Sequence, residues 1–218
     1  MWSSSNQRWG SRLFWFLGLA LILAGVLPLR ANDVLMVADR LARQHLSYVY
    51  GSDEPGKGGF DCSGFVEFVF QKACGIDLPN QADLQLDYCR THGQVWDATS
   101  TWTPATLQPG DLIFFAGPQP SPRTSEVTHV MLYCGNNVMV GAQTEGWQVD
   151  GSHAGVGYYK IPNRYPVGIL GESGERFIGH RRIFAYGRIN GIVILKSSLA
   201  LPPAPPTVKP ASDPYPFD

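Results

Sequence analysis

The hydrophobic period of this chain changes once, near residue 107, and that change limits the fold more than any single motif. Before it, apolar residues recur at helical spacing. Val34, Val37, Ala38, Leu41 and Ala42 share one side of a segment running from Asp33, a candidate N-cap, to His45. After Cys62, the residues Phe65, Val66, Phe68, Val69, Phe70 and Ala73 are apolar on nearly every side up to Gly75, which predicts a helix buried all round. Leu78 to Arg90 predicts a shorter helix, with Pro79 near its start and Gly93 close behind its end. Beyond the turn Leu107-Gln108-Pro109-Gly110-Asp111, the apolar residues come in short runs: Leu112 to Phe115, His129 to Cys134, Val138 to Gln143, Phe177 to Ile183 and Phe184 to Ile189. Gly135-Asn136-Asn137 joins two of these runs as an antiparallel hairpin. Helices first and strands afterwards predict an α+β domain, with N-terminal helices packed on an antiparallel β-sheet.

The two ends of the chain have a different character. Arg8 and Arg12 precede an uncharged apolar run from Leu13 to Leu29, and Arg30-Ala31-Asn32 follows it. A basic segment before an apolar one predicts export, to the periplasm or cell envelope. The run is borderline against the roughly 20 apolar residues of a membrane span, so residues 1–31 read as a signal peptide or as an uncleaved N-terminal anchor, the one expected contact with a membrane. No cysteine lies near its end, which argues against a lipoprotein. Residues 32–190 then form one catalytic domain, which the 218-residue length allows. Residues 191–218 form a tail, Pro-rich from Leu201, that is expected to be extended and disordered. The formal net charge of -1, with Lys and Arg scattered, excludes a basic nucleic-acid-binding stripe and suits neutral or mixed-charge substrates. Oligomeric state leaves no mark on the sequence.

The chemistry gathers at Phe60-Asp61-Cys62-Ser63-Gly64-Phe65-Val66. Cys62 follows the turn-rich loop Ser52 to Gly59 and opens a helix, and a helix N-terminus stabilises the thiolate that acts as nucleophile. His129, at the start of a strand, is a candidate base. Export would carry Cys74, Cys89 and Cys134 into a compartment where disulfides persist; Cys74 and Cys89 close the shortest loop, and three buried thiols are the alternative. The histidines His45, His92, His129, His153 and His180 show no metal-ligand spacing, so neither a metal nor another cofactor is expected.

Four ordered segments carry a specific resemblance. Tyr48-Val49-Tyr50-Gly51, the Cys62 segment, Leu107 to Phe115, and His129-Val130-Met131-Leu132-Tyr133-Cys134-Gly135-Asn136 resemble the motifs of the NlpC/P60 family of cell-wall cysteine peptidases, and Phe177 to Ile183 is similar to its closing segment. The resemblance implies a papain-like α+β fold and cleavage of amide bonds in peptidoglycan stem peptides, often next to D-glutamate, through an acyl-enzyme. It implies Cys62 as nucleophile, His129 as general base, Tyr48 near the developing oxyanion, and Asp61 and Ser63 at the substrate's amino end. Helix capping would use the last two side chains as well.

Two departures stand out. Gly141 occupies the position where the family has a His, Asn or Gln that orients the imidazole. A three-residue hairpin loop would set Gln143 across from His129, which makes Gln143 the replacement candidate, and a one-residue change in the loop would turn it to the other face. His153, a water or a backbone carbonyl are the alternatives. After the nucleophile helix, Leu78-Pro79-Asn80-Gln81-Ala82 replaces the family's usual residues, although Gln85 fits. The aromatic segment with Trp147, Tyr158, Tyr159 and Tyr165 reads either as a cleft wall or as a cover for the sheet. Two rival functions stay open: a catalytically silent wall-binding module, favoured by Gly141, and an acyltransferase or thioesterase on the same plan.

Overall fold

A computed structural model describes residues 31–98, 107–117, 125–161, 177–178 and 181–192. The apolar run from Leu13 to Leu29, Tyr165, His180 and the tail from Leu201 lie outside the described residues. In chain order the elements are α1 (Ala31–Ala42), β1 (Ser47–Tyr48), a 3-10 turn (Pro55–Lys57), β2 (Gly59–Phe60), α2 (Cys62–Cys74), α3 (Ala82–His92), β3 (Gly93–Asp97), β4 (Leu112–Ala116), β5 (Val127–Gly135), β6 (Val138–Trp147), β7 (His153–Lys160), β8 (Phe177–Ile178) and β9 (Arg181–Ile189). Among the described residues no helix is long and apolar enough to cross a membrane.

Strands β3 to β9 form one antiparallel sheet in the order β3-β9-β4-β5-β6-β7, with β8 pairing β9 at the side, and β1 and β2 form a separate short parallel pair. Helices α1, α2 and α3 cover one face. There Val34 and Leu41 of α1, Phe65 and Val69 of α2 and Leu86 of α3 join Leu112, Phe114, Val130, Leu132 and Val140 in one buried cluster. The opposite face has its own core of Ile113, Phe115, Met131, Tyr133, Met139, Tyr159 and Tyr186. Strand alternation sends neighbouring residues of β4 to different clusters, so all five of its side chains are buried. Each fully buried Leu, Ile or Phe contributes roughly 1.5–3 kcal/mol, so a polar residue anywhere on β4 opposes folding.

Both cores are fastened at one point. Asp111, in the turn before β4, is 2% exposed in its side chain and accepts two hydrogen bonds from the Arg188 guanidinium of β9, both at 2.7 Å. Its Oδ2 also accepts from the Gln108 amide at 2.7 Å. The carboxylate thus closes the turn and pins β9 beside β4.

The structure changes several sequence expectations. Helix α1 already runs from Ala31, so Asp33 lies within it rather than before it, and it ends at Ala42. His45 follows in a turn at φ 49°. Helix α2 ends at Gly75 as expected but is not buried all round. Gln71 and Lys72 are exposed and Glu67 is half-buried, because one stripe is left between the neighbouring helices and the solvent. Helix α3 starts at Ala82 instead of Leu78, since the carbonyls of Pro79 and Asn80 accept from Gln85 and Ser63 side chains. Gly93 is extended and leads straight into β3, an edge strand that pairs with β9. The boundary expected between Ile183 and Phe184 is absent, as β9 runs through it to pair with both β3 and β4. Much of the expected aromatic loop is sheet: Tyr158 and Tyr159 lie on β7, where Tyr159 is buried in the second core and Tyr158 donates to Asp39 of α1 at 2.8 Å.

Candidate active site

The site begins with the short parallel bridge between β1 and β2, which pairs Tyr48 with Phe60. The Val49 amide donates to the Phe60 carbonyl and the Asp61 amide to the Ser52 carbonyl, both at 2.9 Å. This brings the Gly51–Ser52 loop over the first turn of α2. The approach is so close that a Cβ at Gly64 would stand 2.2 Å from the Ser52 carbonyl oxygen, so only glycine fits there.

Asp61 caps α2 and clamps the same loop. Its Oδ1 accepts from the Gly64 amide at 2.7 Å, and its Oδ2 from the Gly51 amide at 3.0 Å. The Ser63 hydroxyl lies 3.1 Å from Asp61 Oδ1 and 2.9 Å from the Asn80 carbonyl, tying the first turn of α2 to the segment before α3. Gln85, fully buried, donates to the Ser63 carbonyl at 2.9 Å and the Pro79 carbonyl at 2.7 Å from the other side. Cys62 is therefore the first residue of a helix whose start is held from three directions, and it is 6% exposed. The aligned peptide dipoles of α2 favour negative charge at that end. Tyr48, half-buried against the helix-side core, sits beside Phe60, two residues before Cys62. The internal bonds of Asp61 and Ser63 show both side chains capping and bracing.

The second half of the site is the β5–β6 hairpin, against which α2 packs. His129 pairs in register with Phe115 of β4; their rings lie 5.5 Å apart, and His129 is 2% exposed. The hairpin turn is Asn136-Asn137, one residue shorter than expected, and Gly135 pairs with Val138. A bulge at Cys134 inserts one extra residue into β5, after which Tyr133 pairs with Met139 and Leu132 with Val140. Turn and bulge offset each other. The paired ladder ends at Leu132 and Val140, and one step further Met131 faces Gly141. Gln143 is 1% exposed, and its side-chain Nε2 has no hydrogen-bond partner. His153 is exposed and pairs with Trp147, beyond an irregularity that separates it from the Gln143–Gly155 pair.

The surrounding electrostatics are acidic near α2. Burial raises the Glu67 carboxyl above its usual range, and the charges of Asp53, Asp77 and Asp61 add to the shift. All four cysteines are thiols, so Cys74 and Cys89 are not joined. Burial pushes the Cys89 thiol up to about 12 and raises Cys134 as well. Among the described residues, no three His, Cys, Asp or Glu side chains are grouped as metal ligands would be.

A thiol at a braced helix start, packed against a hairpin that carries a buried imidazole, is an arrangement that the NlpC/P60 family model matches over residues 45–161. The chain belongs to the NlpC/P60 family. The helix-on-sheet α+β architecture is the one expected of it. Relatives include the probable endopeptidase p60 of Listeria welshimeri, 36% identical over 121 residues, which are 55% of this chain and 20% of that protein. The bifunctional muramidase/DL-endopeptidase CwlT of Bacillus subtilis is 38% identical over 46% of this chain and 26% of its own length. The gamma-DL-glutamyl hydrolase of the same organism is 32% identical over 47% and 21%. The chain thus spans a fifth to a quarter of the length of these relatives.

Within this NlpC/P60 domain the sequence departures have a physical account. Asn80 and Pro79 serve through their carbonyls, which leaves the side chain at 80 unconstrained by the Ser63 bond. At Gly141 a Cβ would stand 2.5 Å from Met131 Sδ, so the thioether fills the place of a side chain. Met131 was not singled out from sequence; its only signal was the glycine across the hairpin.

Proposed function

We propose that this domain is an exported cysteine endopeptidase that hydrolyses amide bonds in peptidoglycan stem peptides. The observation that carries the reading is Cys62 as the first residue of α2, with Asp61 and Gln85 bracing that turn and α2 packed on the strands that carry His129. His129 takes the thiol proton and the Cys62 sulfur attacks the scissile carbonyl carbon. The Tyr48 hydroxyl, on the strand beside Phe60, donates to the carbonyl oxygen as it gains charge. His129 returns the proton to the leaving amine. Water then attacks the thioester, gives a proton to His129, and releases the acid and the free thiol. The names of the p60, CwlT and gamma-DL-glutamyl hydrolase relatives support a peptide bond of the wall, next to D-glutamate, as the target.

Incubation of the protein and its Cys62→Ala variant with purified peptidoglycan, with released fragments identified by mass, tests this. New peptide termini from the parent and none from the variant are expected. Wall binding without products would favour the second reading, a catalytically silent wall-binding module, to which Gly141 points. Export rests on the basic and apolar start of the chain; the N-terminal residue of protein recovered from the cell envelope distinguishes a cleaved leader from a retained anchor.

A further inference from the structure

We propose that Tyr50 is a platform for a sugar ring, so that the domain acts on stem peptides still attached to their glycan strand; the inference rests on the peptidase reading above. Tyr50 is 90% exposed; the other large apolar side chain exposed among the described residues, Met36 of α1, reaches 53%. Exposure of a single apolar side chain is ordinary, and what sets Tyr50 apart is how it is held. It is the second residue of a turn closed by the Ser52 amide on the Val49 carbonyl at 3.1 Å, with Gly51 at φ 72° in the third position, where glycine is favoured. The Val49 amide donates to the Phe60 carbonyl, the Gly51 amide to Asp61 Oδ2, and the Ser52 hydroxyl to the Gly59 carbonyl at 2.7 Å. Three of the four turn residues are thus tied to the segment that delivers Cys62, and the fourth carries its ring into solvent. A ring held in this way binds at little cost in conformational entropy.

Three observations favour a sugar over the peptide. Cys62 and His129 are 6% and 2% exposed, so the peptide has to enter while the glycan that bears it stays outside, where Tyr50 stands. The surroundings of the turn are open: a Cβ at Gly51, Gly56 or Gly58 would meet nothing within 4 Å, so these loop positions raise no wall of the kind that grips a peptide side chain. One open aromatic face suits a flat ring, and the C–H bonds on the face of a pyranose carry the partial positive charge that the negative face of a phenol ring attracts. Charge points the same way. Asp53 and Glu54 follow the turn directly, and Lys57 is engaged by both, at 2.8 Å and 3.4 Å. Their carboxylates accept hydrogen bonds from hydroxyl groups and repel the carboxylate of a D-glutamate in the stem. A neutral ring bearing hydroxyls meets both conditions, and the N-acetylated sugars of the wall are such rings.

The test compares kcat/KM on a stem peptide linked to its N-acetylglucosamine–N-acetylmuramic acid disaccharide with that on the free peptide of the same sequence. The parent is expected to prefer the linked form by about 10-fold, through KM, and Tyr50→Ala to reduce that ratio to about 1. Tyr50→Trp keeps an aromatic face and is expected to retain the preference. No preference in the parent, or a ratio in Tyr50→Ala equal to the parent's, would overturn the proposal; an equal loss on both substrates, as expected if the ring meets the peptide, leaves the ratio unchanged and counts against it. A parent that cleaves neither substrate would defeat the peptidase reading, and the platform is then judged by binding alone. The Cys62→Ala protein is titrated with peptide-free N-acetylglucosamine oligomers and followed by NMR. Binding that is lost in Cys62→Ala/Tyr50→Ala upholds the platform, and no binding, or binding that survives, overturns it.

Discussion

Met131 and Gly141 face each other across the β5–β6 hairpin, and the Met131 thioether occupies the space that a side chain at 141 would need, with Sδ 2.5 Å from an ideal Cβ. Met131 is fully buried. Placing a histidine at Gly141 should therefore not restore a third polar group but overpack the second core, at a cost of about 1–3 kcal/mol. The double variant Met131→Ala/Gly141→His should recover at least about 1 kcal/mol relative to the sum of the singles. Urea denaturation of the four proteins in the cycle measures this, and additivity within error would refute the packing relationship.

Removal of the Asp61 carboxylate should loosen the whole entrance to α2. The side chain caps the helix at Gly64 and holds the Gly51 amide. Asp61→Ala is expected to lower stability by about 2 kcal/mol, a helix cap alone being worth roughly 1. Asp61→Asn should lie between, because its amide oxygen keeps the cap while its NH2 faces the Gly51 N–H. Thermal melts rank the three proteins; equal melting of Asn and Ala variants would show that the Gly64 bond contributes nothing.

The Asp111–Arg188 pair should be the most sensitive polar contact of the sheet. Its hydrogen bonds hold the Arg188 guanidinium above its ordinary pKa, and Asp111 is nearly inaccessible. Arg188→Ala should destabilise by about 3–5 kcal/mol by leaving a buried carboxylate uncompensated. Arg188→Lys should recover only part, as an ammonium cannot reproduce the two-pronged geometry. Chemical denaturation gives both values, and a fully stable lysine variant would contradict the account.

Stability should fall as the pH rises above about 9. Burial pushes the Cys89 thiol from 9.0 up to about 12 and also raises Cys134, Tyr133, Tyr158 and Tyr159. Between pH 9 and 12 the unfolded chain releases the Cys89 proton while the folded chain retains it, so unfolding gains at each step upward; below pH 9 the thiol is protonated in both states and exerts no pH dependence. Cys89→Ala should flatten the slope in this window by up to about 1.4 kcal/mol per pH unit. Urea midpoints between pH 7 and 10.5 show whether it does.

The legible parts of the chain are those specified by local chemistry. Asp61 before Cys62 and Gly75 after Cys74 mark the ends of α2, and the positions of Cys62 and His129 follow from motifs a few residues long. Less legible were elements whose only reason to exist is a neighbour. Strand β3 has no apolar alternation of its own and forms because β9 offers it a ladder, while Tyr158 and Tyr159 read as loop aromatics until β6 supplies the partner strand.

The sequence by itself determined the order of helices and strands, the capped start of α2 and the two groups proposed to carry the chemistry, since hydrophobic period and capping act over a few residues. Tertiary structure alone decided the register of the hairpin that carries His129. A bulge at Cys134 cancels a short turn and sets the face of Gln143, and Met131 fills the notch at Gly141. Strand parity and side-chain volume are properties of the paired hairpin, and neither strand carries them alone.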